Sequence, residues 1–307
     1  MKRNLNINRI SVLYGGFSKE REISLISGQA AIRALKAKGF TVTAIDITRD
    51  VHEIVSALND TKPDVVFNAL HGRFGEDGCI QGLLDMMSIP YTSSGRLASA
   101  TSMNKPAAKR LFSLAGIPVA QERIVTVAEA KKGDVMARPY VLKPINEGSS
   151  VGVKIIRDGD NRMPLRDLGL ADSDFIMAEE FIPGRELTVA VMGNKSLAVT
   201  EITTDRGFYD YEAKYTDAGS VHVLPAPLDK TLYDRAMKLS LNAHNALGCR
   251  GISRTDLRFD GNEFYILEVN TQPGLTPTSL VPEQALHVGI SFEDLALWMV
   301  EHAQCDV

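Results

Sequence analysis

The sequence has few cysteines and no long apolar run. Cys79, Cys249 and Cys305 are widely spaced in a chain of 307 residues and form no CxxC pair. Their scarcity and spacing argue against a disulfide framework and against a structural zinc site. The basic N-terminus precedes only a short apolar segment, and no stretch of roughly 18 apolar residues occurs anywhere. We therefore expect neither a signal peptide nor a membrane span, and we expect a cytoplasmic protein.

Basic charge is not in excess either. The chain has 34 Lys and Arg residues against 38 Asp and Glu residues, which gives a formal net charge of −4. This balance argues against a general nucleic-acid coat protein and against a polybasic membrane binder. The hydrophobic fraction of 44% and the charged fraction of 23% are typical of globular proteins. The chain length predicts about two domains.

The N-terminal part of the chain alternates between strand-like and helix-like segments. The strand-like runs are 9–14, 40–47 and 65–70. This order predicts a βαβαβ unit with a parallel sheet, whose ligands bind at the carboxyl ends of the strands. After the first strand, Ser18 is predicted as a helix N-cap, with Glu20 and Glu22 in the first turn. After the third strand, segment 71–78 combines three glycines with four titratable side chains. That composition favours a ligand loop over a flexible surface turn.

The remainder of the chain divides into two further blocks, so the predicted division is 1–103, 104–183 and 184–307. Gly193 and Asn194 lie between two strand-like runs and predict a hairpin. Asp229 is predicted to cap a helix. The polar stretch 205–220 shows no periodicity and predicts a long functional loop.

The last predicted hairpin carries the strongest chemical signal. Period-two alternation places Arg254 and Asp256 on one face of their strand, and Glu268 and Asn270 on one face of theirs. The two carboxylates meet if the loop has an odd number of residues or a bulge intervenes, and we expect a three-residue loop at 260–262. The oxygen-rich cluster would suit Mg²⁺ with phosphate oxygens completing its ligands. The alternative is a salt-bridged strand face exposed to solvent.

A glycine-rich connector is the second signal. In segment 140–152, a strand-like run reaches Lys143 and is followed by Gly148, two serines and Gly152. Such a connector offers backbone N–H groups to anionic oxygens, and the lysine adds a positive charge. Neither GxxxxGK[ST] nor a helix-opening GxGxxG occurs in the chain, which argues against Walker-type NTPases and nicotinamide-dependent Rossmann enzymes.

Eight segments, in this order, resemble the D-alanine–D-alanine ligases of the ATP-grasp superfamily. They are GGFSKEREISLISG (15–28), HGRFGEDGCIQG (71–82), MNK (103–105), LKPINEGSSVGV (142–153), EEFIPGRELTVAV (179–191), FYDYEAKY (208–215), RTD (254–256) and LEVNTQPGLTPTSLVP (267–282). One of these motifs would be weak, but eight in register across nearly the whole chain are specific.

The resemblance implies an α/β (α+β) architecture, in which an N-terminal parallel-sheet (pre-ATP-grasp) domain precedes an ATP-grasp fold. The three blocks would then be the N-terminal substrate domain and the central and C-terminal ATP-grasp subdomains, with 205–220 as a lid. The implied reaction joins two D-alanine molecules through a D-alanyl phosphate and releases ADP and phosphate, for bacterial peptidoglycan synthesis. ATP is implied as a substrate, with two Mg²⁺ ions or Mn²⁺ in their place. Relatives form homodimers, so a homodimer is expected, with neither nucleic acid nor membrane as a partner.

The resemblance also implies a role for particular residues. Those implied for the nucleotide are Lys105, Lys143 and Lys214 at the phosphates, Glu179, Phe181 and Ile182 at the adenine, and Glu186 at the ribose. Those implied for the metal ions are Asp256, Glu268 and Asn270. Those implied for the first D-alanine are Glu20, linked to Ser149 and Tyr215, with His71 nearby. Those implied for the tetrahedral oxyanion are Arg254 and the backbone N–H of Gly274. Those implied for the second carboxylate are Ser279 and the backbone of Leu280.

Two alternatives to this reaction remain at the level of the sequence. The first is a ligase that takes D-lactate or another second substrate, against which the pair Lys214 and Tyr215 argues by resemblance. The second is a regulatory protein that binds a nucleotide without catalysis, which predicts loss of at least one key polar residue. None is lost. Thr255, where relatives carry an apolar residue, and Arg258, which adds charge to the same strand, depart from the family pattern. The sequence leaves open whether Arg258 joins the phosphate-binding residues.

Overall fold

The structure is a computed structural model that describes residues 7–148, 152–160, 169–203, 221–276 and 278–306. The strands are β1 (Arg9–Gly15), β2 (Thr41–Ile47), β3 (Val65–Asn68), β4 (Glu122–Thr126), β5 (Tyr140–Pro144), β6 (Lys154–Ile156), β7 (Phe175–Glu180), β8 (Arg185–Met192), β9 (Lys195–Thr203), β10 (Val221–Val223), β11 (Ile252–Phe259) and β12 (Phe264–Asn270). The helices are α1 (Arg21–Ala37), α2 (Val51–Thr61), α3 (Cys79–Met86), α4 (Arg96–Met103), α5 (Lys105–Leu114), α6 (Val127–Lys132), α7 (Lys230–Ala246), α8 (Leu280–His287) and α9 (Phe292–Glu301). Within these ranges, none of the helices has the length and apolar character needed to cross a membrane.

The first sheet is parallel and has the strand order β2-β1-β3. In its central strand, Ile10 lies between Val42 and Val65. Helix α1 covers the sheet with fully buried side chains such as Ala31 and Leu35. The parallel sheet predicted from the βαβαβ alternation is therefore confirmed, and the loops after β1 and β3 leave the same edge of the sheet.

The core over this sheet also contains residues from the other end of the chain. Val281 of α8 and Leu295 and Met299 of α9 are buried in one cluster with Ile10 and Leu35. Helix α9 packs on α1. Burial of these apolar side chains fixes the last two helices, and the loop that leads into them, against the N-terminal sheet.

The other two sheets are antiparallel, with the orders β4-β7-β5-β6 and β10-β9-β8-β11-β12. The predicted hairpin at Gly193 and Asn194 is confirmed, since β8 ends and β9 begins on either side of it. Helix α7 covers the five-stranded sheet, and the Asp229 carboxylate accepts a hydrogen bond from Leu232 N at 2.9 Å. This confirms the predicted cap.

The loop of the last hairpin is longer than predicted. Phe259 pairs with Phe264, so four residues rather than three connect the strands, and the rings stack with centroids 4.4 Å apart. A bulge between Asp256 and Leu257 then shifts the register. Asp256 and Glu268 become directly opposed because of this bulge, so the prediction of a three-residue loop was wrong.

A buried histidine lies beneath the same sheet. His244 of α7 is 1% exposed, and its Nδ1 lies 2.7 Å from the Ser253 hydroxyl on β11. Burial lowers the pKa of His244 to about 4 because the imidazolium would lose its hydration. The unfolded chain therefore binds a proton at this site between pH 4 and about 6.5, where the folded protein does not.

Stability should consequently fall on acidification through this window, by roughly 3 kcal/mol from this residue. His244→Gln should flatten the dependence of the free energy of unfolding on pH between about 6.5 and 4, as measured by urea titrations. The exposed His52→Gln is the control and should keep the wild-type dependence. An unchanged slope in His244→Gln would contradict the assignment.

Candidate active site

The opposed carboxylates of Asp256 and Glu268 form the centre of the site. Asn270 lies two residues further along the same strand face as Glu268, and its Nδ2 donates to Asp256 Oδ2 at 3.0 Å. The hairpin thus brings together the three residues predicted to bind metal. Only two of these three residues are carboxylates, which agrees with the finding that the described residues contain no metal-holding cluster of three or more His, Cys, Asp or Glu side chains. Two carboxylates and one carboxamide suit Mg²⁺, which is usually held by one or two carboxylates together with substrate phosphates.

Neighbouring side chains orient the Asp256 carboxylate. Arg254 donates from Nε to Oδ1 and from its terminal NH₂ to Oδ2, both at 2.8 Å. The Thr188 hydroxyl, from the opposed position on β8, donates to Oδ1 at 2.7 Å. The side chains of the Arg254–Asp256 pair are only 14% and 12% exposed. The alternative of a solvent-exposed, salt-bridged face is therefore wrong. Alternation along β8 could have indicated Thr188, which the sequence reasoning missed.

Two lysines come from other elements, and one of them contacts this acidic centre. Lys105 begins α5, its Nζ lies 3.5 Å from Glu268 Oε2, and it also donates to the Glu147 backbone carbonyl. Lys143 lies on β5 and forms an ion pair with Glu179 of β7. Both lysines are less than 9% exposed. The positive charges therefore have fixed positions.

A third lysine, Lys109, was missed by the sequence reasoning. It is 2% exposed and donates to Glu179 Oε1 at 2.6 Å and to the Ala120 carbonyl at 2.8 Å. Burial works to raise the pKa of Glu179, but the ammonium groups of Lys143 and Lys109 outweigh it, and the net pKa is lowered. The signal that could have indicated Lys109 is its spacing of four residues from Lys105 on one helix.

Side chains from α5 and from both antiparallel sheets line a cleft, whose empty space with its open mouth is about 760 Å³. We call it the inter-sheet cleft. The predicted site residues that line it are Lys105, Lys143, Glu179, Phe181, Ile182, Glu186, Asp256 and Glu268. The cleft therefore gathers the described residues predicted for the nucleotide and two of the three predicted for metal.

A second group of polar residues lies at the carboxyl edge of the first sheet. Glu20, only 7% exposed, occupies the N-cap position of α1. Ser18 is not the N-cap, because α1 begins at Arg21 and Glu20 precedes it. The Ser18 hydroxyl instead donates to the His71 carbonyl at 2.7 Å and accepts from Glu20 N at 3.1 Å. Glu22 lies in the first helical turn as predicted, whereas the prediction of Glu20 in that turn was wrong. Ser18 thus ties the loop after β1 to the loop after β3.

The His71 imidazole is held from both sides. Its Nδ1 lies 3.1 Å from Glu76 Oε1, and its Nε2 lies 3.0 Å from the Ser27 hydroxyl. The same hydroxyl accepts from Leu275 N at 3.3 Å. A Cβ at Gly72, where φ is +71°, would lie 2.6 Å from Glu20 Oε2. Glycine is favoured there because the positive φ strains other residues, and a side chain would also displace that carboxylate.

The glycine-rich connector joins the two groups. A Cβ built on Gly148 would lie 3.6 Å from Glu20 Oε2. The connector that leaves the inter-sheet cleft after Lys143 therefore lies against the second group of polar residues. Ser149, which follows Gly148, is outside the described residues, as are Lys214, Tyr215 and the predicted lid at 205–220.

The segment before α8 also belongs to the second group of polar residues. The Ser279 hydroxyl lies 2.7 Å from the Thr276 hydroxyl, and a Cβ on Gly274 would lie 3.0 Å from it. Leu280 is the first residue of α8 and is buried. Because Leu275 N is bonded to Ser27, this segment lies beside His71. The described residues predicted for the two amino-acid substrates therefore come from both ends of the chain.

Lys109→Met should destabilise the protein by about 3 kcal/mol. This is the lower end of the cost of breaking a buried ion pair, because Lys143 remains beside Glu179. Urea denaturation at pH 7 without ligand measures the effect. The control is Lys131→Met, whose ion pair with Asp172 is 44% and 69% exposed. It should cost less than about 1 kcal/mol. Equal losses of unfolding free energy in the two variants would show that the buried Lys109 pair contributes no more to stability than the exposed Lys131 pair.

The comparisons with known proteins agree with this geometry. Family models described as D-ala D-ala ligase C-terminus and N-terminus match residues 111–301 and 54–94. A D-alanine--D-alanine ligase from Rhodospirillum rubrum is 58% identical over 298 residues, which is 97% of this chain and 99% of that protein.

Solved structures of two ligases are also similar to this chain. The D-alanine--D-alanine ligase from Bacillus anthracis complexed with ATP has a TM-score of 0.81 at 28% identity, over 96% of this chain and 97% of that one. The VanG D-Ala:D-Ser ligase from Enterococcus faecalis has a TM-score of 0.80 at 29% identity, over 96% of this chain and 99% of that one. Together with the sequence matches, this likeness over nearly the whole length places the chain in the D-alanine–D-alanine ligase family of ATP-grasp enzymes.

Proposed function

We propose that this protein joins two D-alanine molecules to D-alanyl-D-alanine, with ATP converted to ADP and phosphate, for bacterial peptidoglycan synthesis. The observation that carries the proposal is the opposed pair Asp256 and Glu268, which faces Lys105 in a cleft beside Glu20. An acidic pair flanked by lysines suits a triphosphate with its metal ions. A buried carboxylate one connector away suits an amino acid.

ATP would lie in the cleft between the antiparallel sheets. Support comes from the structural relative that holds ATP, and from the lysines and the described cleft lining. Lys105 and Lys143 would bind phosphates, and Lys214, outside the described residues, would reach the γ-phosphate. Phe181 and Ile182, beside Glu179, would line the adenine. Glu186 would accept hydrogen bonds from the ribose hydroxyls.

Asp256, Glu268 and Asn270 would hold two Mg²⁺ ions, or Mn²⁺ in their place. Bound there, the metal would neutralise charge on the phosphate oxygens. Phosphoryl transfer requires positioning and charge neutralisation more than covalent assistance from the protein. The fixed lysines supply both, because their ammonium groups are held before the substrate arrives.

The amino-acid pocket would serve two successive steps. Glu20 would bind the ammonium of the first D-alanine near His71, with Ser149 and Tyr215 linked to Glu20. The carboxylate of this first D-alanine would attack the γ-phosphate of ATP to form D-alanyl phosphate and release ADP. The amine of the second D-alanine would then attack the acyl carbon and expel phosphate.

Two donors would stabilise the tetrahedral intermediate of the second step. Arg254, beside the acidic pair, and the N–H of Gly274 are proposed to bind its oxyanion. Ser279 and the backbone of Leu280 would bind the carboxylate of the second D-alanine. Exclusion of water would protect the acyl phosphate, and 205–220 is the proposed lid. ATP as substrate agrees with the expected cytoplasmic location, and the homodimer stays a prediction.

A different second substrate is the nearest alternative. The D-Ala:D-Ser ligase has almost the same TM-score as the D-alanine ligase, so the fold does not distinguish these substrates. The 58% identity to a D-alanine--D-alanine ligase favours the dipeptide. The alternative of a non-catalytic protein is disfavoured, because the key polar residues are present. They are Glu20, Lys143, Arg254, Asp256, Glu268 and Asn270.

The direct test is ADP release by the purified protein with ATP and Mg²⁺, with products identified by mass. We expect ADP to form in step with D-alanyl-D-alanine when D-alanine is supplied, and no turnover with L-alanine. D-Alanine should be tested alone and with D-serine or D-lactate. A mixed product formed in preference to the dipeptide would change the second substrate. ATP binding without turnover on any substrate would favour the non-catalytic alternative.

Glu20→Gln should raise the KM for D-alanine roughly 10- to 100-fold, because the ammonium loses a charged partner worth about 1.5–3 kcal/mol. The Kd for ATP, measured without D-alanine, should stay within twofold (about 0.4 kcal/mol). The exposed Glu22→Gln on the same helix is the matched control and should change neither value. An unchanged KM in Glu20→Gln would remove Glu20 from the substrate site.

A further inference from the structure

Arg258 is the family departure whose role the sequence left open. It lies on β11, directly opposite Glu186 on β8 in continuous antiparallel register. Its side chain and that of Glu186 are each only 14% exposed, and both line the inter-sheet cleft. The question is whether Arg258 acts on a phosphate directly or through the residues that it contacts.

The guanidinium is bonded to the connector between β7 and β8. Its Nε donates to the Ile182 carbonyl at 3.1 Å, and one terminal NH₂ donates to the Gly184 carbonyl at 3.0 Å. The other terminal nitrogen contacts Glu186 Oε2 at 3.2 Å. The guanidinium carbon also lies 5.6 Å from the centre of the Phe181 ring. Each guanidinium nitrogen thus has a partner in the segment from Ile182 to Glu186.

The connector itself lies close against β11. Gly184 has a φ of +94°, and a Cβ there would lie 2.2 Å from the Phe259 carbonyl oxygen. The backbone can therefore approach the strand only because this residue is glycine. Arg258 bridges the gap on the cleft side and fixes two carbonyls and one carboxylate at once. A planar guanidinium can do this because its donors diverge, whereas an ammonium is a single point of charge.

From these contacts we infer that Arg258 is a positioning residue for the nucleoside part of ATP. It holds the Glu186 carboxylate and the Ile182 backbone where the ribose hydroxyls and the adenine bind, and it does not act as a phosphate ligand. This inference rests on the proposed function for the identity of the nucleotide. It predicts that loss of Arg258 affects recognition of the ribose more than it affects phosphoryl transfer.

The test compares the Kd of ATP with that of 2′-deoxyATP, measured by calorimetry without D-alanine. In the wild-type protein, Glu186 should favour ATP, so the Kd of 2′-deoxyATP divided by the Kd of ATP should exceed one. In Arg258→Met, this ratio should fall roughly five- to tenfold, the value of about one hydrogen bond. Arg258→Lys should not restore the ratio, because its charge is kept but the divergent donors are lost. At saturating ATP, the kcat of ligation in Arg258→Met should differ from the wild-type value by less than twofold (about 0.4 kcal/mol).

Two further variants make the result specific. Glu186→Gln should lower the ratio as Arg258→Met does, and the double variant should lower it no further, because both act on the same contact. Arg185→Met is the matched control. Arg185 is the neighbour of Glu186 and forms a bidentate pair with Glu201, with both contacts at 2.7 Å. This variant should keep the wild-type ratio.

Three outcomes would overturn the inference. The first is an unchanged ratio in Arg258→Met while Glu186→Gln lowers it. The second is an equal loss of affinity for both nucleotides together with a large fall in kcat, which would indicate a phosphate ligand. The third is a wild-type protein without preference for ATP. If Arg258→Met does not fold, the Arg258→Lys variant and Glu186→Gln carry the comparison. Failure of ligation itself would leave the binding ratios measurable, so the two proposals fail separately.

Discussion

Two carboxylates, those of Asp256 and Glu268, face each other directly across neighbouring strands. Like charges in this position repel and would destabilise the hairpin if they were left alone. Arg254 binds both oxygens of Asp256, and Lys105 approaches Glu268, so cations from two other positions offset the repulsion. The close approach of the two carboxylates therefore depends on Arg254 and Lys105.

A second group of charged side chains near the cleft is buried. Glu179 contacts Lys143 on the cleft side and Lys109 on the other, and all three side chains are nearly inaccessible to solvent. Burial of such groups costs desolvation energy, and an apolar replacement is often as stable. In the proposed reaction, the network would hold the Lys143 ammonium group where the ATP phosphates bind, so that little reorganisation would be needed when the ligand arrives.

The proposed amino-acid site depends on a different contact, between the two ends of the chain. Helices α8 and α9 share one apolar core with the first sheet, and this packing brings the loop before α8 against Ser27 and His71. The inter-sheet cleft and this group of polar residues then meet at Gly148. In the proposed reaction, that contact brings the carboxylate of the first substrate close to the phosphate that it attacks.

Features that depend on near neighbours in the chain were predictable from the sequence: the parallel sheet from its alternating segments, the hairpin at Gly193, the cap at Asp229, and the shared strand face of Glu268 and Asn270. Its family motifs also named most of the residues that line the cleft. Features that depend on distant partners could be seen only in the folded chain. The last hairpin has a four-residue loop, a bulge and a stacked pair of phenylalanines, and the Ser18 hydroxyl bonds the His71 carbonyl while Glu20 is the N-cap of α1. Lys109 and Arg258 find their partners 70 and 76 residues away. No local periodicity encodes such contacts, because they form only when separate sheets pack together.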